Sequence, residues 1–193
     1  TGLPTQARMM LALHCYSSAL AAVAVHNPAS VRNEMRVYKR PLEQAIIGLA
    51  LAQVGDVSAR DVLKALGSHS DWIVRTFAYE GLVILAASVG HAPGVEELAA
   101  LRDHDLRVRI AVAGAMASTG NHIYRAPILA LADATDRNQR RAILPVLATL
   151  AATGHQSAVS KLGAMAQHDA DGKIREEARA LWQKSGNIPV AYG

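Results

Sequence analysis

The chain is 193 residues long, 51% hydrophobic and 19% charged, which excludes a disordered polyelectrolyte and supplies enough apolar side chain for a sizeable core. Aromatics make up only 4%, with a single Phe, Phe77, so that core is built from Ala, Leu, Val and Ile, a composition suited to closely packed helices. One cysteine, Cys15, excludes an internal disulfide and a cysteine zinc cage, and a formal charge of +4 is too small to imply nucleic acid by itself.

Residues 1–55 carry a net charge of +3, residues 56–120 a net of −2 and residues 121–193 a net of +3. The first segment reads as three helices, over about 4–25, 29–39 and 42–54, with Pro41 interrupting what would otherwise be one longer helix. The run from Met9 to Val25 has no charged residue, but His14, Cys15, Tyr16, Ser17 and Ser18 break its apolar character. It is therefore expected to be a buried helix, with Cys15 inert inside it, and not a membrane span. Arg32, Arg36, Lys39 and Arg40 follow i, i+4, i+7, i+8 spacing, one helical face that could meet phosphates or acidic groups, or simply be solvated. The chain starts at Thr1, which fits a processed or excised part of a larger chain or assembly; the compartment stays open, with the cytoplasm favoured.

From residue 56 onward the sequence is periodic. Four Asp–Arg pairs stand at i, i+4: Asp71/Arg75, Asp105/Arg109, Asp136/Arg140 and Asp171/Arg175, the aspartates separated by 34, 31 and 35 residues. Each pair opens an Ala/Leu-rich run that ends at glycine, at Gly90, Gly120, Gly154 and Gly186, and an earlier run ends at Gly55. The physical reading is a helix–turn–helix unit. Aspartate caps the second helix, arginine lies one turn along on the same face, and glycine supplies a left-handed stop. The second helices carry apolar stripes such as Val74, Ala78, Leu82 and Leu85, or Val108, Ala111, Ala115 and Met116. The first helices are shorter, among them Val62/Leu63/Leu66 and Val95/Leu98/Leu101. Pro145 falls within the second helix of one unit and predicts a kink or a later start there.

The phrases SDWIVRTFAYEGLVILAASVG, HDLRVRIAVAGAMASTG and ADGKIREEARALWQKSG resemble HEAT-like repeats of the kind found in phycobilisome-lyase-type proteins; TDRNQRRAILPVLATLAATG fits that pattern less well. The resemblance covers about residues 56–186. It implies an all-α fold: a right-handed α-solenoid of about 4–5 HEAT-like helix pairs, with second helices lining a concave surface. The organisation expected is an irregular helical cap over 1–55, repeats over 56–90, 91–120, 121–154 and 155–186, and a tail over 187–193. The resemblance further implies that the four Asp–Arg pairs form a ladder between neighbouring repeats.

No nucleophile elbow, phosphate loop or dinucleotide fingerprint occurs, and no cofactor or metal is expected. His69, His104 and His168 recur in equivalent turns, as do His91, His122 and His155, but one histidine per layer cannot readily share an ion. They read as turn residues. On the expected concave face Trp72, Thr76, Tyr79 and Val83 fall on one stripe, followed by Leu106, Ile110 and Ala113, then Arg137, Arg141 and Leu144, then Glu176, Arg179 and Gln183. Exposed Trp and Tyr on a rigid groove are typical partner anchors; the equal alternative is that Trp72 and Tyr79 pack on the neighbouring helical cap. The function expected is a non-enzymatic scaffold that binds a protein through Trp72, Thr76, Tyr79, Val83, Arg137, Arg141 and Arg179. The resemblance also implies an alternative, an enzyme of the bilin lyase or isomerase type or one directed at nucleic acid. A further alternative, a nucleic-acid-binding module, rests on the basic clusters Arg32/Arg36/Lys39/Arg40 and Arg137/Arg140/Arg141, which also read as solvated faces.

Overall fold

A computed structural model describes residues 5–91 and 94–186; the expected tail over 187–193 lies outside the described residues. Those residues are helical, with no strand among them. The chain divides into two compact units, Thr1–Ala100 and Leu101–Gly193.

The first unit contains α1 (Thr5–His26), α2 (Pro28–Val37), α3 (Pro41–Gln53), a 3-10 turn (Val57–Ala59), α4 (Arg60–Leu66), α5 (Trp72–Ser88) and α6 (Val95–Ala100). The three N-terminal helices agree with the sequence reading to within about two residues. α3 is the hub: it packs on α1, α2, α4 and α5, and Ala45 to Ala52 are all buried. The segment read as a cap is thus continuous in packing with the first helix pair. Two glycines make this possible. A Cβ on Gly48 of α3 would lie 2.7 Å from Leu63 Cδ2, and one on Gly81 of α5 would lie 2.9 Å from Leu63 Cδ1. Leu63 of α4, fully buried, fills the space that both glycines leave.

The second unit contains α7 (Leu106–Ser118), a 3-10 turn (His122–Tyr124), α8 (Arg125–Leu131), α9 (Arg137–Ala142), α10 (Leu144–Ala152), α11 (Gln156–His168) and α12 (Gly172–Gly186). Here α10 is the hub, packed on α7, α9, α11 and α12. The helix expected from 137 onward is broken at Ile143. Pro145 takes the first turn of α10, where its missing N–H costs nothing.

The aspartate caps and four of the glycine stops act as the sequence suggests, while the arginines make bonds that their spacing does not announce. The carboxylates of Asp71, Asp105, Asp136 and Asp171 each accept from the backbone N–H two residues on, at 2.9 Å, and so cap α5, α7, α9 and α12. Each following arginine closes the turn before its helix. Arg75 donates to the carbonyls of His69 and Ser70, Arg109 to Asp103, Arg140 to Ala134 and Thr135, and Arg175 to Asp169 and Ala170. Carbonyls stranded in a tight turn thereby gain a charged donor. Gly55, Gly90, Gly120 and Gly154 adopt positive φ, between +68° and +84°, as a left-handed helix stop requires. Gly186 is the last residue of α12 and shows no such conformation. After three of these glycines the next amide reaches back to a helical carbonyl: Asp56 to Leu51, His91 to Ala86, His155 to Leu150. A side chain then caps the element that follows in two turns, Asp56 binding the amide of Ser58 and Asn121 that of Ile123; Asn27 does the same for Ser30 after α1.

Candidate partner-binding site

In the second unit, α9, α10 and α12 enclose an open groove of about 550 Å³. Ala142, Leu144, Pro145, Ala180 and Leu181 form its apolar lining, and Asn138, Arg141 and Glu177 its polar edge. The break at Ile143 shapes it, because α10 starts afresh at Pro145 and leaves a recess beside α12. Across this edge Arg141 forms a two-point pair with Glu177, at 3.0 and 2.5 Å, and its hydrogen bond holds the Glu177 carboxyl below the usual carboxylate range. Arg137 pairs with Asp171 at 2.5 Å. Arg140 holds Asp169 through two bonds, 2.9 and 3.2 Å, and depresses its pKa. Asp171 is also held low, first by the backbone amides it caps and then by Arg137. Arg179 donates to the carbonyl of Ala166 at 3.3 Å. The arginines expected as a basic patch are therefore each engaged within the unit. Leu144, grouped with them in the sequence, is buried.

Chemically, such a recess accepts an apolar side chain on its lining while a neighbouring polar group exchanges with the Arg141–Glu177 pair. Both partners of that pair are about half exposed, so opening it costs little.

The stripe expected in the first unit needs correction. Trp72 and Tyr79 are half-buried, whereas Thr76 and Val83 are fully buried and present no surface. α5 is covered around nearly its whole circumference: Thr76, Phe77, Glu80, Val83 and Ala86 are buried together with Val74, Ala78, Leu82 and Leu85. Tyr79 lies over Gly67, where a Cβ would stand 3.1 Å from its ring.

The basic cluster is likewise rearranged. α2 ends at Val37, so only Arg32 and Arg36 share a helical face; Tyr38 and Arg40 are extended, as expected for Arg40 ahead of Pro41. Arg32 pairs with Asp56 at 2.6 Å, Lys39 donates to the carbonyl of Arg36, and Arg40 stands 3.7 Å from Glu43. Among the expected first-helix stripes, Val95 and Leu98 prove exposed.

α1 departs furthest from expectation. Only Ser17, Ala21 and Ala24 are buried, and Cys15 is exposed. Its inner side is held by His14, whose Nε2 lies 2.8 Å from Glu80 of α5 and whose Nδ1 lies 2.8 Å from the carbonyl of Met10. The ring stacks on Phe77, with centroids 4.6 Å apart. With an acceptor at each nitrogen, the imidazolium is the form that satisfies both, and the Glu80 hydrogen bond raises the His14 pKa against the opposing effect of burial. No sequence signal links these residues, which stand 66 positions apart.

The turn histidines are not all plain surface groups. His155 is half-buried and takes a hydrogen bond at Nδ1 from Arg125 at 2.8 Å; burial and the Arg125 charge lower its pKa. His69 accepts the amide of Asp71. Among the described residues no three His, Cys, Asp or Glu side chains gather as metal ligands.

No protein-family model matches this chain, and no curated protein matches it in sequence.

Proposed function

We propose that the chain is a HEAT-like helical-repeat module that serves as a non-enzymatic protein-interaction scaffold, a right-handed solenoid of four to five helix pairs that holds a partner on its second helices. The observation that carries this reading is the groove of α9, α10 and α12, with Leu144, Pro145 and Leu181 under an Arg141–Glu177 edge. An apolar recess beside a charged pair is what a partner helix or extended segment needs: one anchoring side chain and a polar register mark. The fourfold recurrence of capping aspartate and turn-closing arginine supports a repeat origin for the helix pairs. Pairing of Arg137 with Asp171 and Arg141 with Glu177 neutralises the positive charge on this face, which favours a peptide over a phosphate chain.

The test is partner capture with wild type and with Ala180→Arg, which fills the recess from an exposed position. The expected outcome is loss of a specific protein partner from the variant at unchanged helix content. Equal capture by both would place binding elsewhere, and a wild-type preparation carrying only nucleic acid or a chromophore would replace the scaffold reading.

A further inference from the structure

The outer face of α1 has the spacing of a helix-pairing seam, and no helix among the described residues covers it. Arg8, Ala12, Cys15, Ala19, Ala22 and His26 follow 4-3-4-3-4 spacing, the 3.5-residue period of two helices packed along their length. All six are exposed. Met9, Tyr16 and Val23 flank the seam on one side, and Leu11 and Val25 on the other, each between 41% and 65% exposed. A solvated helix face carries Lys and Glu, yet this one has no ionised side chain between Arg8 and His26. The five large side chains alone leave on the order of 500 Å² in water, toward the upper end of the largest apolar patch on a typical monomer, a size that often marks a functional surface.

We propose that this face binds a second copy of the chain, with the two α1 helices antiparallel about a two-fold axis near Ser17. Three features select that occupant. First, the seam maps onto itself in this arrangement: Arg8 meets His26, Ala12 meets Ala22, and Cys15 meets Ala19 of the second copy. Small residues at the contact allow an approach of about 8 Å between axes, and the larger flanking side chains then close over both sides. Second, the charges fit. Each Arg8 reaches the C-terminal carbonyls of the opposite helix, where a cation is favourable, and the face between the two ends carries no ionised side chain to oppose its own copy. Third, the area suffices. A helix of 22 residues is about 33 Å long, and pairing two such faces buries roughly 1,200 Å², the lower end for a stable interface.

Sedimentation equilibrium of the full chain, wild type against Ala19→Glu, tests this. The expected result is a wild-type dimer in the micromolar range and at least a tenfold weaker association for the variant, with unchanged helix content because Ala19 is exposed. In a second variant, Ala19→Cys, mild oxidation should join the introduced thiol to Cys15 of the other copy in a disulfide dimer resolved by non-reducing electrophoresis. A wild type that remains monomeric up to about 100 μM overturns the proposal. So does a monomer that floats with vesicles of phosphatidylserine and phosphatidylcholine, since the face would then belong to lipid. A dimer unaffected by Ala19→Glu also overturns it.

Discussion

Leu63 is gripped by two glycines from different helices, and this arrangement makes a prediction about energetic coupling. A Cβ on Gly48 would sit 2.7 Å from Leu63 Cδ2 and 3.1 Å from Cγ, against about 3.5–4.0 Å for a relaxed carbon contact. Taken alone, Gly48→Ala should gain about 1 kcal/mol from reduced unfolded-state entropy in the middle of α3. Overpacking against a fully buried leucine costs about 1–3 kcal/mol, so the net effect is destabilising by about 1 kcal/mol. Leu63→Ala, which opens a cavity between α3, α4 and α5, should cost about 2–5 kcal/mol. In that background the clash is gone, and Gly48→Ala should become stabilising by about 1 kcal/mol. The double-mutant cycle should therefore show a coupling of about 2 kcal/mol, well above the few tenths typical of independent sites. Urea denaturation followed by tryptophan fluorescence measures it, with Trp72 in the first unit and Trp182 in the second as separate reporters. A cycle that closes within about 0.5 kcal/mol, or a Gly48→Ala variant more stable than wild type, would refute the packing argument.

Two further outcomes follow from the geometry. Because the His14 pKa is raised in the folded chain, the bond to Glu80 contributes its full stability below the ordinary histidine value and loses it as pH rises through the folded value. Thermal unfolding should show the first unit weakening as pH rises from the ordinary histidine value, and Glu80→Gln should flatten the dependence; a parallel curve for the variant would detach it from His14. Replacement of a capping aspartate, Asp71→Ala or Asp136→Ala, should lower stability by about 1 kcal/mol in urea melts. An effect below a few tenths would mean that the turn arginines alone hold those helix starts.

The parts of this fold legible in the sequence are those fixed by neighbours along the chain. Aspartate caps and the left-handed glycines at 55, 90, 120 and 154 act on their immediate neighbours, so their spacing alone reveals them; the turn-closing bonds of the arginines are equally local, but the spacing shows only a shared helix face. Helix α2 shows where local reading ends. The i, i+4, i+7, i+8 pattern ran through Lys39 and Arg40, but Pro41 forces its neighbour into extended backbone and the face stops at Arg36. Helical periodicity also gives the direction in which a side chain points, not what covers it. Thr76 and Val83 do lie off the main apolar stripe of α5, yet they are buried, while Val95, Leu11 and Val25 are apolar and open. The groove is half visible in the sequence: Arg141 and Leu144 fall on the expected concave stripe, Pro145 signals a kink or a later helix start and Leu181 an apolar stripe, but nothing marks Ala180 or brings these together, because the recess exists only once α12 is laid beside α10.

The turn-closing arginines carry a consequence for how such a chain can change length. Each donates to carbonyls five or six residues upstream, in the turn before its helix, and each aspartate serves the helix that it precedes. The backbone bonds of each bend are therefore local, while Arg137, Arg140 and Arg141 also reach forward to Asp171, Asp169 and Glu177 of the following period. Excision or duplication of one Asp–Arg period would leave the backbone bonds of the neighbouring bends intact, but these forward ion pairs and the side-chain volumes around them would have to be matched again. On the repeat reading proposed above, a change of length is limited by fit between successive periods and not by the bends themselves.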